Sequence, residues 1–190
     1  MTAKLVKFVT LATLAALAAS CGEFTRQGQA PVVVVVERLE AADGGGTLQS
    51  DVVTNGTIFN DAAEVEMRVI SKDPGVPGLA SNPSFLNSVT INRYRVEYRR
   101  ADGRNTSGVD VPYAFDSALT FTIPNDGTAT AGFQIVRHSA KLESPLKALA
   151  SDGNIISTIA YVIFYGRDQA GNDVSATASM GIDFGDFADP

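Results

Sequence analysis

The sequence predicts an all-β chain, an antiparallel sandwich of about seven to nine strands with long loop insertions. Three observations carry this reading. The dominant hydrophobic period is two, which places alternate residues on opposite faces of a strand. The breaks between alternating runs are rich in Gly, Pro, Asn and Asp, the residues of tight turns. Only residues 141–150 are compatible with a helix, and Pro145 limits that segment to a turn or two.

The elements follow in order. Residues 32–36 are five consecutive valines, the pattern of a strand buried on both faces. Ala63, Val65, Met67 and Val69 alternate with Glu64, Glu66 and Arg68. Tyr94, Val96 and Tyr98 alternate with Arg93, Arg95, Glu97 and Arg99. Leu119, Phe121 and Ile123 form a further alternating run, as do Ala129, Ala131, Phe133 and Ile135. In the next run Ile159, Tyr161, Ile163 and Tyr165 make one face, while Ala160, Val162 and Phe164 make an equally apolar second face. The last run alternates Val174, Ala176, Ala178, Met180, Ile182 and Phe184 with polar residues. Between these runs, Pro124-Asn125-Asp126-Gly127 and the segment Asp168-Gln169-Ala170-Gly171-Asn172-Asp173 each predict a hairpin. Longer insertions are expected around residues 72–88, 103–117 and 139–154.

Two stretches carry a resemblance. Ile91-Asn92-Arg93-Tyr94-Arg95-Val96-Glu97-Tyr98-Arg99, followed by Ala101-Asp102-Gly103, resembles the third strand and following turn of a fibronectin type III domain. Tyr161-Val162-Ile163-Phe164-Tyr165-Gly166-Arg167-Asp168 with Ala170-Gly171-Asn172 resembles the final hairpin of fibronectin III and bacterial Ig-like modules. The resemblance implies an Ig-like sandwich. The chain departs from it in having no Trp and in running well beyond the roughly 100 residues of a standard module.

The N-terminus reads as an address. Lys4 and Lys7 precede a charge-free apolar run over residues 8–19, and small residues lead to Ser20 and Cys21. A basic start, a short apolar core and a small-residue exit make a secretory signal. The run falls short of the roughly 20 apolar residues that a membrane span requires. Leu17-Ala18-Ala19-Ser20-Cys21 resembles a bacterial lipobox, although Leu17 stands four residues before the cysteine where the family usually has it three before. That resemblance implies a diacylglycerol thioether on Cys21, cleavage just before it and membrane attachment through the lipid. It also implies an outer-membrane preference where the organism has such a membrane, because Gly22 rather than an acidic residue follows the cysteine. The alternative is ordinary cleavage leaving a free thiol, which in an exported protein would be open to cross-linking or oxidation. The expected organisation is a signal over residues 1–20, a lipidated tether over residues 21–30 and one sandwich domain over residues 31–190. An extended tether of this length reaches roughly 30 Å.

Composition narrows the partners. Residues 1–20 take away two of the 15 basic side chains. The remainder carries 13 basic against 21 acidic side chains, a formal −8. Such a balance opposes binding to nucleic acid, whose phosphates demand dense Lys and Arg. With a single cysteine there is no disulfide within the chain, and 170 residues suffice for a core without one.

Candidate sites are few. His138 is the only histidine, and no Gly-x-Ser-x-Gly motif surrounds a serine, so hydrolytic catalysis has no visible constellation. Asp168, Asn172 and Asp173 share one turn and offer hard oxygen ligands of the kind Ca²⁺ takes. Asp183, Asp186 and Asp189 cluster nearer the C-terminus. The competing role of such residues is to cap backbone amides in turns. Arg93, Arg95 and Arg99 share one strand face, and in an Ig-like sandwich the adjacent strand would set Val162 and Phe164 beside them. That surface is the expected partner-binding face, since arginine and aromatics are enriched at interfaces. In the competing reading arginine stems merely cover apolar surface. The expected function is a non-enzymatic, membrane-anchored envelope lipoprotein. It would bind or scaffold another envelope or surface component, with no cofactor beyond the lipid. The alternative is a carbohydrate-binding or adhesin-like module, with Tyr94, Tyr98, Tyr113 and Tyr165 as stacking residues.

Overall fold

The computed structural model describes residues 28–73, 84–125 and 127–187. Cys21, the signal segment and Asp189 lie outside this set. Eight strands form two sheets: β1 (Val32–Ala41), β2 (Thr47–Asp51), β3 (Asp61–Ser71), β4 (Val89–Arg99), β5 (Phe115–Ile123), β6 (Thr128–Val136), β7 (Ile156–Asp168) and β8 (Asp173–Gly185). Their order is β1-β3-β6 in one sheet and β2-β8-β7-β4-β5 in the other. The fold is an all-β sandwich, as the alternating runs predict. β4 lies beside β7, and β7 and β8 form the closing hairpin.

The core lies between the sheets. Val65, Met67 and Ile135 of the smaller sheet face Tyr94, Val96, Val162, Phe164, Ile182 and Phe184 of the larger, and each is almost fully buried. Phe133 links the layers through edge-to-face contacts, with ring centroids 4.9 Å from Tyr94 and 5.4 Å from Phe164. The polar ends of two core tyrosines are satisfied across the gap. Tyr94 Oη donates to the Gln134 carbonyl at 2.8 Å, and Tyr98 Oη donates to the Ile135 carbonyl at 2.6 Å. Burial pushes the Tyr98 hydroxyl pKa up.

Three expectations are corrected. The turn at residues 124–127 does not close a hairpin: β5 pairs with β4 and β6 with β3, so the chain crosses there from one sheet to the other. A turn-forming sequence reverses the chain without specifying which edge the next strand joins. The sandwich is not wholly antiparallel, because the short β2 runs parallel to β8. The valine run is not buried on both faces. β1 is an edge strand of the smaller sheet, with Val32 and Val34 inward and Val33 44% exposed. The helix-compatible segment 141–150 holds one single turn, α2 (Leu146–Leu149), which buries Leu146 and Leu149, and a further turn, α1 (His138–Lys141), precedes it and ends at Lys141.

A bulge in β4 between Ile91 and Arg93 sets the faces of the larger sheet. It inserts Asn92, so Ile91 and Tyr94 both point inward while Arg93 stays outward. β7 passes close to this bulge at Gly166. A Cβ there would stand 2.4 Å from the Thr90 carbonyl oxygen and 2.9 Å from Ile91 Cα, so only glycine fits.

Candidate functional site

The outer face of the larger sheet carries the most organised polar surface among the described residues. Alternation along β4 turns Tyr94, Val96 and Tyr98 to the core and Arg93, Arg95, Glu97 and Arg99 to solvent. The paired strand β5 adds Asp116 opposite Arg95. The result is a chain of ion pairs running up the sheet. Arg93 Nη1 and Arg95 Nη1 donate to the two oxygens of Asp116 at 3.1 and 2.6 Å. Arg95 Nε donates to Glu97 at 2.9 Å, and Arg99 Nη2 lies 3.4 Å from the other Glu97 oxygen. Hydrogen bonds from Arg95 and Arg99 hold the Glu97 carboxyl below its usual range, and the bonds to Glu97 and Asp116 raise the Arg95 guanidinium.

Tyrosines of β7 lie beneath the ladder. The Arg93 guanidinium sits 4.1 Å from the ring centroid of Tyr165, its cross-strand partner, and that of Arg99 lies 5.1 Å from Tyr161. Each stacked pair of this kind is worth about 0.5–1 kcal/mol at an exposed site. Three arginines face two carboxylates here, so the ladder carries a small positive excess on an acidic protein. The opposite outer face has the reverse sign. There Arg38 lies 3.5, 3.9 and 3.3 Å from Glu40, Glu64 and Glu66, and Arg68 pairs with Glu37.

The composition of the expected partner face changes in one respect. Val162 and Phe164 are not on it. Both have no solvent exposure and pack in the core with Tyr94 and Val96. In an antiparallel pair, directly opposed residues share a face. Arg93 opposes Tyr165, Arg95 opposes Ile163 and Arg99 opposes Ile159, so the other apolar set of β7 turns outward. The sequence makes both faces of β7 apolar and cannot choose between them; the register with β4 decides.

The Asp168 turn has a different occupation from the one a cation would need. Asp168 is buried, and its two carboxylate oxygens accept from the Asn172 backbone N–H at 2.8 Å and from Asn172 Nδ2 at 2.7 Å. Asp173 pairs with Arg167 at 2.7 Å. The geometry is that of a side chain capping its own turn. Among the described residues no three His, Cys, Asp or Glu side chains gather in an arrangement that could hold a metal ion. Of the tyrosines offered for sugar stacking, Tyr94 and Tyr98 are in the core, Tyr113 is exposed and Tyr165 lies under Arg93. His138 is exposed, and its backbone N–H and ring face the Asn60 side-chain oxygen.

A buried charge cluster escaped the sequence reading. Lys141, with its side chain 1% exposed, donates to Asp61 Oδ1 at 3.0 Å and to the Asp51 carbonyl at 2.7 Å. Ser50, fully buried, donates to the other Asp61 oxygen at 2.6 Å. Burial raises the Asp61 pKa, against the opposing pull of Ser50 and Lys141. The cluster ties α1 to β2 and β3. Its members lie far apart in the chain and share no spacing motif.

No family model matches the chain, and no curated protein is similar to it. Among solved structures, it is similar to the X-ray structure of the Northeast Structural Genomics Consortium target SoR45, at 11% identity and a TM-score of 0.37, over 82% of this chain and 86% of that one. It is also similar to the solution structure of a protein described as late embryogenesis abundant, at 12% identity and a TM-score of 0.41, over 95% of this chain and 86% of that one. Likenesses of this order carry no functional argument.

Proposed function

We propose that the chain is a membrane-anchored envelope lipoprotein, non-enzymatic, whose sandwich binds or scaffolds another envelope or surface component. The observation that carries this reading is the N-terminal pattern: a basic start, a short apolar run and small residues ending in the lone Cys21. The folded part begins soon afterwards, with Ala30 buried and β1 starting at Val32. That leaves a short leash between lipid and domain. Two or three acyl chains make such an attachment effectively permanent, since each buried methylene contributes about 0.8 kcal/mol.

The test is fractionation of cells producing the wild type and Cys21→Ser, together with intact mass of the purified protein. The anchored reading expects a lipid mass increment on the wild type and its membrane recovery, both lost in the variant. Equal membrane recovery of the two forms overturns it.

The arginine ladder over Tyr161 and Tyr165 supports the binding half of the proposal. Its charges are already largely paired, which suits a partner surface of mixed polar and apolar character better than a dense array of phosphates. In vivo cross-linking with Arg93→Ala/Arg99→Ala tests it: loss of a wild-type cross-linked species supports this face, and an unchanged pattern removes it. A glycan array separates the carbohydrate-binding alternative. That alternative is supported by the polar cleft of about 240 Å³ beside the ladder, lined by Arg95, Glu97, Arg99, Asn105 and Ser107.

A further inference from the structure

Arg137 differs from the other arginines of the described residues. Arg38, Arg68, Arg93, Arg95, Arg99, Arg100, Arg104 and Arg167 each have a carboxylate within ion-pair distance. Arg137 has none. Its guanidinium lies 4.1 Å from the ring centroid of Phe115, and its Nε is buried without a hydrogen-bond partner. The ring contact stabilises the cation, but a buried N–H left without an acceptor is costly. Next to it is a cleft of about 80 Å³, lined by Pro112, Tyr113, Arg137, Ser139, Glu143 and Ser144. The volume a water molecule takes in the liquid is about 30 Å³, so the cleft admits a group of a few heavy atoms.

We propose that this cleft is a carboxylate-binding site, with Arg137 as its charged anchor and the hydroxyls of Ser139 and Ser144 as further donors. The guanidinium fork matches a carboxylate in two parallel hydrogen bonds. Glu143 in the same lining opposes a dianion such as phosphate or sulfate, and favours a monoanion that carries a hydrogen-bond donor beside its carboxylate. Pro112, Ala140 and the 56% exposed Tyr113 in the lining suit a carbon skeleton. The Tyr113 ring lies over Gly108, where φ is +77° and an added Cβ would collide with it. The ligand is therefore a small organic acid or the carboxylate of a peptide. This site is independent of the lipid anchor and of the arginine ladder.

Amide-resolved NMR titration of the full chain tests the proposal with four probes at matched ionic strength: sodium acetate, N-acetyl-dialanine with a free C-terminal carboxylate, the same peptide as its amide, and sodium sulfate. The expected result is saturable shifts confined to residues 112–115 and 137–144 with the two acids and none with the amide. Affinity for the peptide acid about tenfold or more above acetate identifies a peptide carboxylate, and equal affinity identifies a small acid. Arg137→Gln should abolish the shifts, and Arg137→Lys should weaken them because the fork is lost. Ser139→Ala/Ser144→Ala leaves the packing of Arg137 on Phe115 intact and should weaken acetate binding several-fold. The proposal is overturned by absence of saturation with either acid, by sulfate binding as tightly as acetate, by shifts that persist in Arg137→Gln, or by unchanged affinity in the double serine variant.

Discussion

Tyr98 of the larger sheet donates its hydroxyl to the Ile135 carbonyl of the smaller sheet at 2.6 Å, in a place where neither group meets water. The bond joins β4 to the last strand of the opposite layer. Tyr98→Phe leaves the ring and its contact with Phe184 in place but orphans a buried carbonyl. The expected loss is about 1–3 kcal/mol, read as a lowered urea midpoint with an unchanged slope.

Gly166 permits the close approach of β7 to the β4 bulge, and the nearest obstacles to a Cβ are backbone atoms that no side-chain rotation can move. Gly166→Ala is expected to cost at least the roughly 1–3 kcal/mol typical of overpacking. A lowered thermal midpoint would show it. Full stability in this variant would refute the close approach of β7 to the bulge.

The buried Lys141 and Asp61 predict an asymmetric response. Lys141→Met strips Asp61 of its cation while the carboxylate stays among buried groups. The expected loss near neutral pH is about 3–5 kcal/mol, and most of it should return in Lys141→Met/Asp61→Asn. Denaturant titration of the two variants and the wild type measures both quantities. Similar stability for single and double variants would contradict this account.

The same residue sets a pH dependence of unusual sign. Burial raises the Asp61 pKa above its ordinary 3.8. Between 3.8 and the raised value the native state holds a proton that the unfolded chain has released. The stability contributed by protonated Asp61 is therefore complete below 3.8 and declines as pH rises through the folded value. Glu97 acts oppositely: its lowered pKa gives stability present above 4.5 and lost as pH falls. Comparing wild type with Asp61→Asn in unfolding titrations from acid to neutral pH isolates the first effect. The wild type should lose stability relative to the variant as pH rises; a constant difference would refute it.

Asp116 bridges Arg93 and Arg95 on an exposed face. Asp116→Asn is expected to change stability by less than about 1 kcal/mol, because surface ion pairs contribute little. It should nevertheless weaken any charge-dependent partner contact at this face. Parallel chemical denaturation and cross-linking yield would separate the two.

Much of the fold was legible because alternation is a local property. Tyr94, Val96 and Tyr98 had to share a face, and the polar residues between them had to share the other. The face of β7 was not legible, since Ile163 and Val162 are equally suited to burial and only the distant partner strand distinguishes them. The sheet crossing after Ile123 was hidden for a related reason: a turn signal fixes a reversal and leaves the destination open. Within the candidate sites, the arginine row could be read from spacing. The Lys141 cluster and the Arg137 cleft depend on segments brought together from far along the chain, and nothing local marks them.

The crossing between β5 and β6 has a kinetic consequence. Among the sheet pairings, only β7 with β8 closes through a tight turn, whereas Leu48 must find Ile182 and Ala63 must find Phe133. Each such encounter requires a large loop to shut before any contact repays it, which places folding on the order of milliseconds to seconds. The C-terminal β7–β8 pair is the natural nucleus. β2 in particular cannot find its place until β8 has been made.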